Sequence, residues 1–109
     1  MSNEHDASPW DEQQASLLVE ATVLIGLTWL NGEGTPEYEQ MFGVITTADA
    51  RRGFEVALKG MRTGETYWLP PDTRNFQAAP PGEYRLKSTG EVVIDPDFTS
   101  TWTINPPLN

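Results

Sequence analysis

The stretch from Leu17 to Leu30, LLVEATVLIGLTWL, constrains the fold of this chain more than any other, because it is the longest apolar run and carries one charge, Glu20. Its odd positions, Leu17, Val19, Ala21, Val23, Ile25, Leu27 and Trp29, are all apolar, while the even positions include Glu20, Thr22, Gly26 and Thr28. Alternation with period 2 marks a strand with one buried face. A helix of about four turns would also fit the length, but Val, Ile and Thr crowd the run and favour a strand. Fourteen residues that include a glutamate fall short of the roughly 20 apolar residues a membrane helix needs, so no membrane partner is expected. Gly26, on the polar parity, suggests a bend or bulge that lets one long strand serve two sides of a barrel.

A chain of 109 residues is long enough to bury a core without metal or disulfide. We expect a single β-barrel domain over residues 9–105, a disordered tail at 1–8 and a short tail at 106–109. The absence of cysteine excludes disulfides, thiolate catalysis and zinc ribbons. The first ten residues, MSNEHDASPW, have neither a basic start nor an apolar core, unlike a secretory signal, and the expectation is a cytoplasmic protein.

Charge is distributed unevenly. The net charge is −9; residues 1–50 hold nine acids and no Lys or Arg, whereas residues 51–109 hold seven of each sign. Phosphate contacts need Lys and Arg, so the N-terminal half is a poor surface for nucleic acid. Basic protein partners, cations or plain solubility remain as explanations.

Taken in order, Ser8-Pro9-Trp10-Asp11 has the signs of a helix start, with Ser8 as N-cap and Pro9 in the first turn. The helix is expected from Pro9 to about Ala15, with Trp10 laid over the open end of the barrel. Asn31 to Pro36 is a dense cluster of turn residues suited to a hairpin. A second strand follows over Glu37 to Thr47, with large apolar groups on both parities. Asp49 to Gly53 is a turn, and Phe54, Val56 and Leu58 alternate with Glu55, Ala57 and Lys59 as a half-buried strand. Glu65 to Leu69 is an aromatic strand ended by Pro70-Pro71. A short strand near Phe76, a hairpin over Tyr84 to Ile94 and a last strand from Phe98 to Ile104 complete the series.

Short strands with turns every 8 to 12 residues point to a mostly β chain curled into a small antiparallel barrel. The N-terminal helix, the long strand, the glycine-rich turn, Phe42-Gly43-Val44-Ile45 and Asp49, and the strand at Phe54 together resemble the first half of an SH3-like or Sm-like barrel. The resemblance spans residues 9–79 and implies that 80–109 form an added hairpin and strand. Where the Sm family places an RNA-binding asparagine after Asp49, this chain has Arg52-Gly53, so RNA binding is not carried over.

No catalytic constellation stands out. His5, the single histidine, sits in the tail, where no fixed geometry can hold it. Lys87-Ser88 places an amine beside a hydroxyl, but serine is an ordinary turn former. Asp95-Pro96-Asp97 supplies two carboxylates suited to a hard cation or acid–base work, and equally starts a turn. No metal ligand set or cofactor loop is recognised, and the chain is expected not to be an enzyme. The four tryptophans, Trp10, Trp29, Trp68 and Trp102, fill a core this small, or Tyr67 and Trp68 form a groove for an extended peptide.

The leading expectation is therefore a non-catalytic protein-interaction or regulatory domain. Glu20, Glu33, Glu37, Tyr38, Glu39 and Asp49 would meet a protein partner with a basic surface, as an immunity-type inhibitor masks a cationic toxin. One alternative is a ligand-binding or enzymatic barrel using Tyr67, Trp68, Asp95 and Asp97. A second is an Sm-like nucleic-acid binder. One question also remains from the opening stretch: Leu18, Leu24 and Leu30 lie on the opposite parity to the odd-numbered core and need a cover, from the Trp10 helix, the C-terminal strands or a partner.

Overall fold

A computed structural model of the protein describes residues 9–30 and 35–104. The expected tails and the turn at 31–34, with Glu33, lie outside them. The chain is mostly β, with one short helix, α1 (Glu12–Leu18), and strands β1 (Thr22–Leu30), β2 (Pro36–Asp49), β3 (Gly53–Leu58), β4 (Thr66–Leu69), β5 (Gln77–Ala78), β6 (Glu83–Arg85), β7 (Val92–Ile94) and β8 (Phe98–Ile104).

The helix begins and ends later than its composition implied. Asp11, not Ser8, is the N-cap: its carboxylate accepts from Gln13 N at 2.9 Å and Gln14 N at 3.2 Å, which satisfies amides that an N-terminus leaves free. Ala15 and Leu18, three apart on one face, are buried, and Leu17 is 70% exposed. The first residues of the apolar run are thus helical, and the period-2 pattern governs only from Ala21 onward. Glu20, at φ 74, turns the chain between the two, and Trp10 stacks on Phe54 with ring centroids 5.1 Å apart.

Six strands form one sheet in the order β4-β3-β2-β1-β8-β5, and β6 pairs with β7 separately. The sheet is open, with β4 and β5 at its edges, and the expected closed antiparallel barrel does not form among the described residues. The last strand is not an addition at the rim. β8 lies parallel to β1, from Val23 opposite Phe98 to Trp29 opposite Ile104. A parallel neighbour requires a long crossover, here the whole of β2 to β7, an arrangement that hairpin signals do not reveal.

The strand that is long and irregular is β2, not β1. β1 runs without interruption past Gly26, whose neighbours are Gln40 and Thr101, whereas β2 shifts register between Ile45 and Thr47. β2 also serves two neighbours in succession: residues 36–44 pair with β1, and residues 43–49 with β3. The two halves of the sheet are therefore staggered, and the first half of β2 runs past the end of β3.

Each face of the sheet has its own core. Val23, Ile25 and Leu27 join Ala15, Leu18, Met41, Ile45, Phe54, Val56, Leu58, Leu69 and Phe76 on the α1 side, as the odd parity requires. On the other face Leu24 packs with Leu86 and Val93 of the β6–β7 hairpin, flanked by Phe42 and Tyr84. Leu18 belongs to the helix and the first core, and the hairpin covers Leu24 on the even parity of β1, while Leu30 joins neither core and is half-buried.

Two glycines in this frame have opposite meanings. A Cβ on Gly43 would run into the Ala57 carbonyl of β3, whereas one on Gly26 would meet only Thr101 Oγ1 at 4.0 Å. Gly43→Ala is expected to cost about 1–3 kcal/mol in urea unfolding, because β3 must move away. Gly26→Ala is expected to stay within about 0.5 kcal/mol of the parent.

Candidate functional site

The stagger leaves one stretch of backbone open. Along β2, Ile45 N and O bond toward the β1 side, to Ala21 O and Glu20 N. Two groups point the other way: Phe42 O accepts from Lys59 N at 2.9 Å, and Gln40 N donates to Ser88 Oγ at 3.3 Å. Alternation along a strand then aims the N–H and C=O of Tyr38 outward as well. β3 begins its pairing only at Gly43, and no described group bonds these two atoms. Pro36 suits the same edge, since the N–H it lacks would also point off the sheet.

Side chains around this edge differ on the two faces. On the α1 face Glu39 is the centre: its carboxylate accepts from Trp29 Nε1 at 3.2 Å and Arg62 Nη1 at 2.7 Å. Arg62 also donates to Glu65 Oε1 at 2.9 and 3.0 Å. The bond to Glu65, and then the charges of Glu65 and Glu39, raise the guanidinium above its ordinary value. Tyr67 stands close enough that burial, followed by the Glu39 charge, pushes its phenol up. Glu37 remains exposed.

On the other face lies a groove of about 510 Å³. Gly26, Thr28 and Thr101 make its floor, and Tyr38, Gln40, Lys87 and Ser88 line it on the β2 side. Its depth follows from the sequence locally: Gly26 stands where the even parity of β1 would otherwise project a side chain. Lys87 N donates to Gln40 Oε1 at 2.5 Å, so the β6–β7 connection is tied to β2 at Gln40 by two bonds. The Tyr38 ring is 71% exposed, and Lys87 has no acidic partner among the described residues.

Of the residues expected to form one acidic surface, Glu37 and Glu39 share the α1 face of β2, and Tyr38 between them projects to the groove face. Asp49 is at the far end of the same strand, about 33 Å from Glu39 at 3.3 Å per residue, and Glu20 is at the start of β1. Both serve turns. Asp49 Oδ1 accepts from Arg51 N at 2.8 Å and Arg52 N at 2.9 Å, and Glu20 N donates to Ile45 O at 2.7 Å.

Tyr67 and Trp68 do not share a groove, because adjacent strand residues face opposite ways. Tyr67 packs on the core, and Trp68 lies under Arg52, 4.6 Å from its ring centroid. The Asp pair is also separated from them, since β8 is four strands from β4 in the sheet, about 19 Å at the usual spacing. Asp97 Oδ2 accepts from Thr22 N at 2.9 Å, and Asp95 Oδ1 from Gly82 N at 2.6 Å. Among the described residues no group of three His, Asp or Glu is placed to hold a metal ion, and no helix is long and apolar enough to cross a membrane.

Two turn carboxylates set an acid limit on this scaffold. Backbone bonds from Arg52 and Arg51 hold Asp49 below its ordinary value of 3.8, and the Arg74 side chain does the same to Asp72. Both protonate at lower pH in the folded chain than in the unfolded one. The stability they contribute is therefore complete above the unfolded aspartate range near pH 4, and is lost as pH falls through the lowered folded values. Melting temperature is expected to be flat from pH 7 to about 5 and to fall below about 4, with a smaller fall in Asp49→Asn and Asp72→Asn. Comparison with protein-family models, with curated proteins and with solved structures found no match for this chain.

Proposed function

We propose that this chain is a non-catalytic protein-interaction module that takes an extended, basic segment of a partner as an extra strand beside the first half of β2. The observation that carries this is the outward N–H and C=O of Tyr38, without a partner among the described residues where β2 runs past β3. Strand addition draws its affinity from such main-chain bonds and its specificity from the side chains beside them. Glu37 is exposed next to Tyr38, and the N-terminal half of the chain has no Lys or Arg to offset it. A lysine or arginine on the incoming strand would complement Glu37 and the acidic surroundings, and the net charge of −9 would steer such a partner from a distance.

An immunity-type inhibitor of a cationic protein is one concrete form of this activity. The β1–β4 meander behind α1 is the part we read as akin to an SH3-like or Sm-like module. A nucleic-acid partner has less in its favour, because the open edge is bordered by Glu37 and Glu39.

Proline separates the backbone from the side chain in a test. At Tyr38 it removes an N–H that points away from β1, so the pairing with β1 survives. Isotope-labelled protein titrated with a lysine-enriched pool of random hexapeptides is expected to show saturable shifts at the Tyr38 amide and its neighbours. Tyr38→Pro should abolish binding, read at the neighbouring amides, Tyr38→Ala should keep part of it, and Glu37→Lys should weaken it by about tenfold or less, as one exposed ion pair allows. Equal shifts with a glutamate-enriched pool, or undiminished binding by Tyr38→Pro, would remove the proposal.

A further inference from the structure

The open edge has a closed end. Ser88 Oγ already occupies Gln40 N, and Lys87 N is bonded to the Gln40 side chain. Arg62, from the 3-10 turn at Gly60–Arg62, reaches Glu39 on the opposite face. A strand added beside Tyr38 can therefore begin beyond Pro36 but cannot continue past Gln40. At that point stands Lys87, an ammonium without an acidic partner among the described residues, on the wall of the groove that Tyr38, Gln40 and Gly26 also line.

We infer that the segment this module takes is the C-terminus of its partner, running parallel to β2, with its terminal carboxylate on Lys87. The inference rests on the strand-addition reading above and adds polarity and an end to it. Two features lead to it independently of one another. The edge stops, so the incoming chain must either end or turn sharply outward. Lys87 sits at the stop and has no acidic partner among the described residues, in a strongly acidic chain. The site is then bipolar: Glu37 near its start selects a basic residue, and Lys87 at its end selects a carboxylate. An internal segment would place neutral backbone on Lys87 and would have to leave the sheet at Gln40.

The probe is a degenerate pool of five-residue peptides with lysine at alternate positions, prepared once with a free C-terminal carboxylate and once as the amide. Titration of labelled protein is expected to give saturable shifts at Tyr38, Gln40 and Ser88, with the free acid binding about tenfold or more tightly than the amide. Lys87→Met keeps the backbone bond to Gln40, because that bond uses the main-chain N–H, and it should bring the acid down to the affinity of the amide. Acid and amide binding equally, with both lost in Tyr38→Pro, would overturn carboxylate capture and leave strand addition standing. A preference for the acid that persists in Lys87→Met would overturn the role of Lys87. No shift at Tyr38 with either pool, up to millimolar peptide, would overturn both.

Discussion

The structure depends on one reciprocal contact between distant parts of the chain. Asp97 N donates to Thr22 O at 2.9 Å, and Thr22 N donates to Asp97 Oδ2 at 2.9 Å. This pair closes a loop of 75 residues and fixes where β8 starts along β1. A parallel strand set one residue off would turn its inward side chains outward. Ser100, buried at 2%, would lose its bond to Asn75 O at 2.7 Å, and Trp102 would leave the edge-to-face contact with Phe76. With β8 in place, β1 is paired on both sides and its first half, Val23 to Ile25, is buried on both faces, and the other strands take their positions from it.

The aromatic side chains transmit that order across the α1 face. Trp10 stacks on Phe54, Phe54 meets Phe76 edge-on at 4.8 Å, and Phe76 meets Trp102 at 6.4 Å. The series links the N-terminal segment, β3, the strand-like turn after Asn75 and β8. Thr73 secures the same region: its hydroxyl accepts from Asp11 N at 2.9 Å and donates to Pro9 O at 3.0 Å. At 4% exposure such a hydroxyl needs both partners. At the Asp49 end β2 is paired with β3, whereas the Tyr38 end extends past β3 and is held by β1, by the bonds of Gln40 to Lys87 and Ser88, and by the Glu39–Arg62 ion pair.

Much of this was legible residue by residue. The parity of Val23, Ile25 and Leu27 placed the first core, and Phe98 to Ile104 was bounded correctly as a strand, because period-2 burial is a local property. Pairing is not local. Nothing in the composition of β8 distinguishes a parallel neighbour of β1 from an added edge strand, so an antiparallel barrel was expected where an open sheet forms. The acidic surface failed in the same way: Glu37 and Asp49 are close in sequence, but an extended chain carries them far apart. The groove was invisible because its floor takes Gly26 from β1 and Thr101 from β8, which only the register brings together. Gly26 was noticed, and its meaning was reversed. It is a missing side chain in a continuous strand and not a bend.

An exposed strand edge ordinarily invites a second copy of the same chain, and the chemistry here acts against that outcome. Two copies paired antiparallel about Tyr38 would set Glu37 of one directly opposite Glu39 of the other, twice over, and like charges opposite one another destabilise a pair. Pro36 shortens the edge further by offering no N–H. The same charges that reject a copy attract a strand with lysine or arginine at the matching positions. Self-avoidance and partner choice therefore come from one short segment, Pro36 to Glu39, and no separate device is needed for either. The stagger of β3 against β2 is what exposes that segment: Gly43 lets the two strands approach where their pairing begins, and Ser88 on Gln40 N ends the exposure before it.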